Sequence, residues 1–391
     1  MTVLIIATLI LVTNLIFEYF RHTRNVKMIP IRIHVNGTRG KSSVTRLIAA
    51  GLRAGGIRTL AKTTGTIPRL ILPDGRESSI IRLFAANIIE QKYVFRYAAS
   101  LQPKAIVVEC MAVNPVFQWI TERKFVKSTL SVITNVRLDH IDLMGSNIQS
   151  VARSIANTIP NHSICFTSEE KQFPLLNQIA HKRGTMIRHV TPEQITQNDL
   201  TPFEYIEHAD NLSLALAVCE HYGIDRKVAL KGMQHSNPDP GALQKYTIEN
   251  DGKKIVFYNV FAANDPESSL YIWEKITSPL LDQEKMIVLN TRADRFARSH
   301  QLIDTFCKEN YDYFILTGER TDQLEHYALD GRIPKGKLLV LGEIEPSLIF
   351  DRVLSLTTKE SHIIGIGNIA GTKKYGAKIV NYFRKKSKGG V

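Results

Sequence analysis

The chain opens on hydrocarbon: from Met1 to Phe17 no residue is charged, and residues 4–12 are almost unbroken aliphatic side chain. Counted to Phe20, the run reaches the ~20 residues that one membrane-crossing helix needs. Beyond it the pattern changes to short apolar runs alternating with helical stretches. Residues 31–35, 105–109, 130–134, 164–166 and 186–190 read as strands, those at 105–109 and 130–134 continuous or nearly continuous in apolar residues. Residues 41–54 read as a helix closed by Gly55 and Gly56, and residues 211–220 as another, closed near Gly223. Proline and glycine then crowd residues 237–241, the strongest interior break in the chain. After it strands recur at 255–260, 286–290, 313–317, 338–341 and 362–366. Continuous apolar strands separated by helices predict an α/β fold built on largely parallel sheets. The expected organisation is an anchor at 1–20, a nucleotide-binding domain at 21–236 and a smaller, Rossmann-like α/β domain at 237–391.

Charge settles which way the first helix lies. Arg21, Arg24 and Lys27 follow it, so the positive-inside rule keeps the rest of the chain in the cytoplasm. A cleaved signal peptide would show a basic start and a small-residue cleavage site. Glu18, Tyr19, Phe20 and Arg21 stand there instead, which predicts an uncleaved single-pass anchor. A second basic cluster closes the chain at Arg384, Lys385, Lys386 and Lys388, within a formal charge of +13. No aromatic-interleaved basic motif or zinc module accompanies this charge, so nucleic acid is not the expected partner. Cys110, Cys165, Cys219 and Cys307 are widely spaced, which suits a reducing compartment rather than a disulfide framework.

The strand at 31–35 runs through Asn36 into Gly37, Thr38, Arg39, Gly40, Lys41, Ser42 and Ser43. A glycine-bearing turn between strand and helix aims backbone N–H groups and the helix N-terminus at phosphate. The lysine supplies a cation for the outer phosphates and the next serine a hydroxyl for Mg²⁺. Glu109 ends one apolar strand, and Asp139 and His140 follow another. Parallel sheets present their chemistry at such strand ends, so three of them are expected to converge on one crevice. Gly365, Gly367 and Ala370 mimic a dinucleotide fingerprint, but too little chain follows to supply the ribose-binding acid. A tight turn is the expected reading there.

G-T-R-G-K-S, a strand ending in glutamate, and T-N-V-R-L-D-H-I-D-L-M-G, in this order, resemble the Mur ligase superfamily, which forms amide bonds through acyl phosphates. The strings N-G-T-R-G-K-S-S-V-T-R-L, A-K-T-T-G-T, V-E-C-M-A-V-N-P, A-A-N-D-P-E-S-S-L and N-T-R-A-D-R narrow the likeness. They resemble the poly-γ-glutamate synthase ligase subunits, the PgsB or CapB type, over essentially the whole chain. The resemblance implies a Mur-ligase-like ATP-binding domain in which Lys41 binds the β- and γ-phosphates and Ser42 the Mg²⁺, with Mn²⁺ as the alternative ion. It implies that Glu109 and His140 hold a second ion, near a threonine hydroxyl from Thr63, Thr64 or Thr66. It places Asn211 on adenine and Arg292 and Asp294 over the nucleotide, with Asn264 and Asp265 in a loop facing the same cleft. The implied partners are glutamate, the growing polyglutamate chain and membrane subunits of a synthesis and export complex, with a homo-oligomer left open. The implied setting is a bacterial cell membrane, with the product used as capsule or secreted.

Two departures bear on the substrate. Only the anchor stands before the phosphate loop, where peptidoglycan ligases carry a UDP-sugar-binding domain, so a UDP-linked substrate is not expected. Residues 155–160 hold no lysine where many relatives carry a carbamylated one. Two alternatives remain: a folylpolyglutamate-synthase-like ligase on a small acceptor, and a membrane-tethered P-loop ATPase or scaffold driving export. An uncleaved anchor predicts that the full-length protein survives high-salt washing of membranes and leaves only with detergent. Release by salt alone would contradict it.

Overall fold

The stretch after Pro30, in which Ile31, Ile33 and Val35 alternate with polar residues, becomes the interior strand around which the first half of the chain is built. In this computed structural model, residues 1–65, 68–82, 86–203, 205, 207–238, 244–261, 266–280, 282–369 and 375–387 are described. The chain divides into two units, Met1–Phe203 with Glu207–Asp239, and Glu204–Ile206 with Pro240–Val391.

The first unit begins with α1 (Thr2–Lys27), which runs past residue 20 and buries His22 and Val26. Then come β1 (Ile31–Asn36), α2 (Lys41–Ala54), β2 (Thr59–Thr63), β3 (Arg69–Ile71), β4 (Glu77–Ser79), α3 (Glu90–Leu101) and β5 (Ala105–Glu109). Next are α4 (Pro115–Ile120), extended by a wider π-type turn Thr121–Val126, β6 (Leu130–Ile133), α5 (Ile141–Met144), α6 (Ile148–Ile155), β7 (Ile164–Thr167) and α7 (Phe173–Lys182). β8 (Met186–His189), α8 (Gln197–Leu200), α9 (Ala209–His221) and α10 (Arg226–Gln234) complete it. The described strands form one sheet in the order β4-β3-β2-β5-β1-β6-β7-β8. From β2 to β8 every neighbouring pair is parallel. Crossover helices cover both faces of such a sheet, which is why its middle strands β5 and β6 are buried along their whole length. All five residues of β5 are buried. The antiparallel edge made by β3 and β4 was not foreseen, because three-residue strands give no readable alternation.

The second unit repeats the plan on a smaller scale. It holds β9 (Gln244–Asn250), β10 (Lys253–Asn259), α11 (Pro266–Thr277), β11 (Glu284–Thr291), α12 (Phe296–Phe306), β12 (Tyr313–Gly318) and α13 (Thr321–Leu329). β13 (Leu338–Gly342), α14 (Pro346–Leu356), β14 (Glu360–Gly367) and α15 (Tyr375–Ser387) follow. The strand order is β13-β12-β11-β14-β10-β9, parallel except for β9. Successive residues feed opposite faces: Val256, Ile287 and Ile364 pack on one core with Trp273 and Phe306, while Ile255, Val288 and Ile363 pack on another with Phe350 and Phe383. The expected α/β class holds for both units.

One buried ion pair sits inside the first sheet. His34 on β1 is fully buried, with Nδ1 2.7 Å from Glu122 Oε2. The other oxygen of Glu122 accepts from the Ser128 amide at 3.0 Å and its hydroxyl at 2.9 Å. Burial works to lower the His34 pKa, but Cys110 and Glu122 against the ring outweigh it and push it up to about 9. The folded state therefore holds a proton that the unfolded chain releases near pH 6.5. This contribution to stability is fully present below about pH 6.5 and is lost as pH rises through about 9. Unfolding midpoints measured from pH 6 to 9.5 should fall with this dependence, and His34→Gln should flatten it. An equally steep fall in the variant would contradict the assignment.

Candidate active site

β1 lies between β5 and β6, with Val35 level with Glu109 on one side and Val132 on the other. The three strand ends expected to converge are thus neighbours. The phosphate loop leaves β1 at Gly37, whose φ of +135° is open to glycine; a Cβ there would meet Thr134 Oγ1 at 2.0 Å. Gly40, at φ +79°, caps α2, and a Cβ on it would lie 2.4 Å from Asn211 Oδ1.

The segment after β6 holds this turn from the side. Asn135 accepts from the Thr38 amide through its carbonyl at 2.9 Å and from the Arg39 amide through Oδ1 at 3.0 Å. Thr134 Oγ1 and Asn135 Nδ2 both donate to the Arg39 carbonyl, at 2.5 and 3.2 Å. Thr38 Oγ1 accepts from the Arg137 amide at 2.9 Å and donates to its carbonyl at 3.2 Å. These contacts consume the Thr38 and Arg39 amides. The N–H groups of the first turn of α2, which have no intrahelical acceptor, are the donors aimed out of the helix.

Lys41 folds back on the loop, its Nζ 2.7 Å from the Gly37 carbonyl and 3.0 Å from that of Thr38. Burial lowers its pKa, and the charge of Glu109 partly restores it. Glu109 is buried at the end of β5, where Oε2 accepts from Ser42 Oγ at 2.8 Å and from the Thr64 amide at 2.6 Å. Thr63 is buried in β2, whereas Thr64 lines the same cleft as Lys41, Arg82, Asp139 and His140. Thr66, Asn264 and Asp265 lie outside the described residues.

His140 opens α5 at φ +47°. Its backbone N–H donates to Asp139 Oδ1 at 3.0 Å, while its ring nitrogen stands 3.9 Å from Oδ2, beyond hydrogen-bond range. Asp139 instead lies 3.3 Å from the Arg39 guanidinium. Asn211, at the start of α9, donates through Nδ2 to the buried Glu207 at 2.8 Å. Arg292 and Asp294 belong to the second unit, where they form a two-pronged ion pair at 2.9 and 2.7 Å after β11. The dinucleotide look-alike closes β14 at Gly367, from which Asn368 donates to the Asn290 carbonyl at 3.0 Å.

Sequence reading missed the cation behind the cleft. Lys62 is fully buried on β2, its Nζ 2.8 Å from Glu90 Oε1. Glu90 also takes Arg82 in a fork at 2.6 and 3.0 Å. The one available signal was a lysine inside an apolar strand. Among the described residues, no three or more His, Cys, Asp and Glu side chains are placed to hold a metal by themselves. The oxygen donors present, Ser42 Oγ and the Glu109 carboxylate, suit Mg²⁺, which takes one or two protein carboxylates and completes its shell with phosphate and water.

A two-unit α/β chain with this loop, clamp and strand-end glutamate defines a Mur-type ligase. Residues 35–236 match the Mur ligase middle domain, and residues 245–386 match the poly-gamma-glutamate synthase CapB C-terminal domain. The chain is 37% identical to PGA synthase CapB of Bacillus subtilis (strain 168), across 95% of each chain. It is 35% identical to the capsule biosynthesis protein CapB of Bacillus anthracis, across 94% of this chain and 80% of that one. The chain belongs to the poly-γ-glutamate synthase CapB family. Its fold is shared with E. coli FolC in complex with DHPP and ADP (TM-score 0.67, 14% identity, 94% and 92% of the two chains). It is also shared with Mycobacterium tuberculosis folylpolyglutamate synthase complexed with ADP and AMPPCP (TM-score 0.68, 16% identity, 97% and 98%).

Gly40→Ala combines strained backbone with a clash on Asn211. It should weaken nucleotide binding by on the order of tenfold, from about 1–3 kcal/mol of strain. Unchanged affinity by calorimetry would remove Gly40 from the site.

Proposed function

We propose that this chain is an ATP-dependent ligase that joins glutamate residues through γ-amide bonds, converting ATP to ADP and phosphate through an acyl phosphate. The observation that carries this reading is the Ser42–Glu109 contact at the mouth of the phosphate loop, with Lys41 and His140 on one cleft. The family supports the substrate, because its named members are a PGA synthase and a capsule biosynthesis protein. Likeness to folate-metabolising ligases at 14–16% identity supports the fold and not their acceptor.

The γ-carboxylate of glutamate or of the growing chain attacks the γ-phosphorus of ATP, forming an acyl phosphate and releasing ADP. The amine of the next glutamate attacks the acyl carbon and expels phosphate, leaving a γ-amide. Positioning and charge stabilisation dominate phosphoryl transfer. Lys41 would leave the Gly37 and Thr38 carbonyls to meet the outer phosphates, while the first turn of α2 supplies N–H donors. Ser42 and Glu109, with Thr64 and His140 beside them, would hold Mg²⁺, which supplies positive charge against the developing oxyanions when bound. Asn211, beside Gly40, is proposed to meet the adenine. For Arg292 and Asp294 the support is the resemblance alone.

The same reading assigns nucleotide binding to residues 21–236 and places α1 in a bacterial cell membrane, with the rest of the chain cytoplasmic. Residues 2–17 are all exposed, and the helix is long and apolar enough to cross a bilayer. Membrane subunits are proposed partners, since one helix cannot form a passage for a polyanion.

Purified protein given glutamate and ATP should release ADP and phosphate together, and hydroxylamine should trap a glutamyl hydroxamate. AMP and pyrophosphate would overturn the reading. Lys41→Ala should lower turnover by a factor on the order of 100 or more.

A further inference from the structure

The anchor helix does not stop where its hydrocarbon stops. α1 continues to Lys27 with no glycine or proline before Pro30, so nothing in it provides a kink. Its last turns are wedged into the first unit. Val26 belongs to the core formed with Val94, Phe95, Ala98 and Val126. His22 Nε2 lies 2.9 Å from the Phe125 carbonyl, and its ring sits edge-on to Phe95 and Phe125 at 5.9 Å from each. α3 and the π-type turn Thr121–Val126 thus form two walls around one rigid rod.

Both walls reach up that rod. From α3, Lys92 Nζ lies 2.6 Å from Glu18 Oε1. From the other wall, Lys127 Nζ lies 5.9 Å above the Tyr19 ring. A helix over residues 2–20 spans about 28 Å at ~1.5 Å per residue, close to the ~30 Å of a bilayer's hydrocarbon. Groups touching residues 18 and 19 therefore stand at the headgroups.

The surface beside those contacts is aromatic and basic. Along α3, Tyr93 is 58% exposed and Tyr97 45%, with the Arg96 guanidinium 5.1 Å from the Tyr93 ring centre; Ile89, 45% exposed, precedes them. On α4, which runs straight into the other wall, Trp119 is 42% exposed, with Nζ of Lys124 from that wall 5.7 Å from its ring. Arg21 and Arg24 are exposed on α1 itself. The nearby acids are already engaged: Glu18 by Lys92, Glu90 by Lys62 and Arg82, and the buried Glu122 by His34. Amphipathic aromatic rings favour the membrane–water boundary, and exposed cations there are drawn to anionic headgroups.

We propose that the nucleotide-binding unit lies against the bilayer through these two walls, with an anionic phospholipid surface as their occupant. The proposal rests on the anchor reading of α1. Tyr93, Tyr97 and Trp119 enter the headgroup layer, Arg96, Lys124, Arg21 and Arg24 face lipid phosphate, and the rigid helix fixes the unit's tilt.

Trp119 reports on this directly, because the chain has two tryptophans and Trp273 is buried in the second unit. The full-length chain is reconstituted in phosphatidylcholine vesicles with and without phosphatidylglycerol, each carrying a lipid brominated near the headgroup. The expected result is a loss of tryptophan emission that is larger with phosphatidylglycerol, absent in Trp119→Phe and reduced in the Arg96→Ala/Lys124→Ala double variant. Trp119→Phe should keep ligase turnover, which shows that it is folded. Protein that resists salt extraction while Trp119 escapes quenching would overturn the docking and leave the anchor standing. Release by salt would overturn both. Shielding of Trp119 only in native membranes, and not in lipid vesicles, would assign the face to a protein partner and overturn the proposal.

Discussion

The turn between β1 and α2 can hold its shape only because the chain after β6 supplies hydrogen bonds that the turn cannot make for itself. Asn135 takes two of its amides, and Thr134 and Asn135 together satisfy the Arg39 carbonyl. A buried backbone group left unpaired costs about as much as a lost hydrogen bond, so the clamp and the loop are one structural unit. The arrangement requires β6 beside β1. It also spends the Thr38 and Arg39 amides on structure, so that the first turn of α2 holds the N–H groups left for the proposed phosphate contact. Gly37 and Gly40 follow from the same crowding, since Thr134 and Asn211 occupy the space a Cβ would need.

Charge is set in place before any ligand arrives. Glu109 is fixed by Ser42 from one side and by the Thr64 amide from the other. Lys41 is parked on carbonyls of the loop, a weak hold that, on the proposed reading, phosphate oxygens would replace with a full opposite charge. Behind the cleft, Lys62, Glu90 and Arg82 leave one net positive charge on the wall. Groups that need not reorganise as charge develops are the main source of stabilisation in phosphoryl transfer. A cleft that excludes water also protects an acyl phosphate from hydrolysis.

What the sequence disclosed follows from how far each signal reaches. Residues 31–54 could be read locally, because glycine spacing, strand and helix lie within two dozen positions. Apolar runs located most strands of both sheets. Strand order was not legible, since placing β1 between β5 and β6 depends on crossovers rather than on any local pattern. The same holds for pairings between distant positions, such as Arg46 with Glu77 across 31 residues or His34 with Glu122 across 88. That Asp139 and His140 follow a strand end is legible in the sequence, but the direction of the Asp139 carboxylate is not. The structure turns that carboxylate toward Arg39 and the His140 amide, a distinction made by backbone conformation at φ +47°. The continuation of α1 beyond residue 20 escaped notice because its buried face is only His22 and Val26, too sparse for a hydrophobic stripe.

Together the clamp, the fixed carboxylate and the family support the proposed order, in which a phosphoryl group passes to a carboxylate before an amine arrives. That order of events leaves an isotopic trace. Glutamate labelled with ¹⁸O in its γ-carboxylate should transfer one labelled oxygen to inorganic phosphate for each amide bond formed. Mass spectrometry of the phosphate released during polymerisation measures it. One ¹⁸O per phosphate is the predicted result; phosphate free of label, with the oxygen retained by glutamate or carried into AMP, would contradict the account.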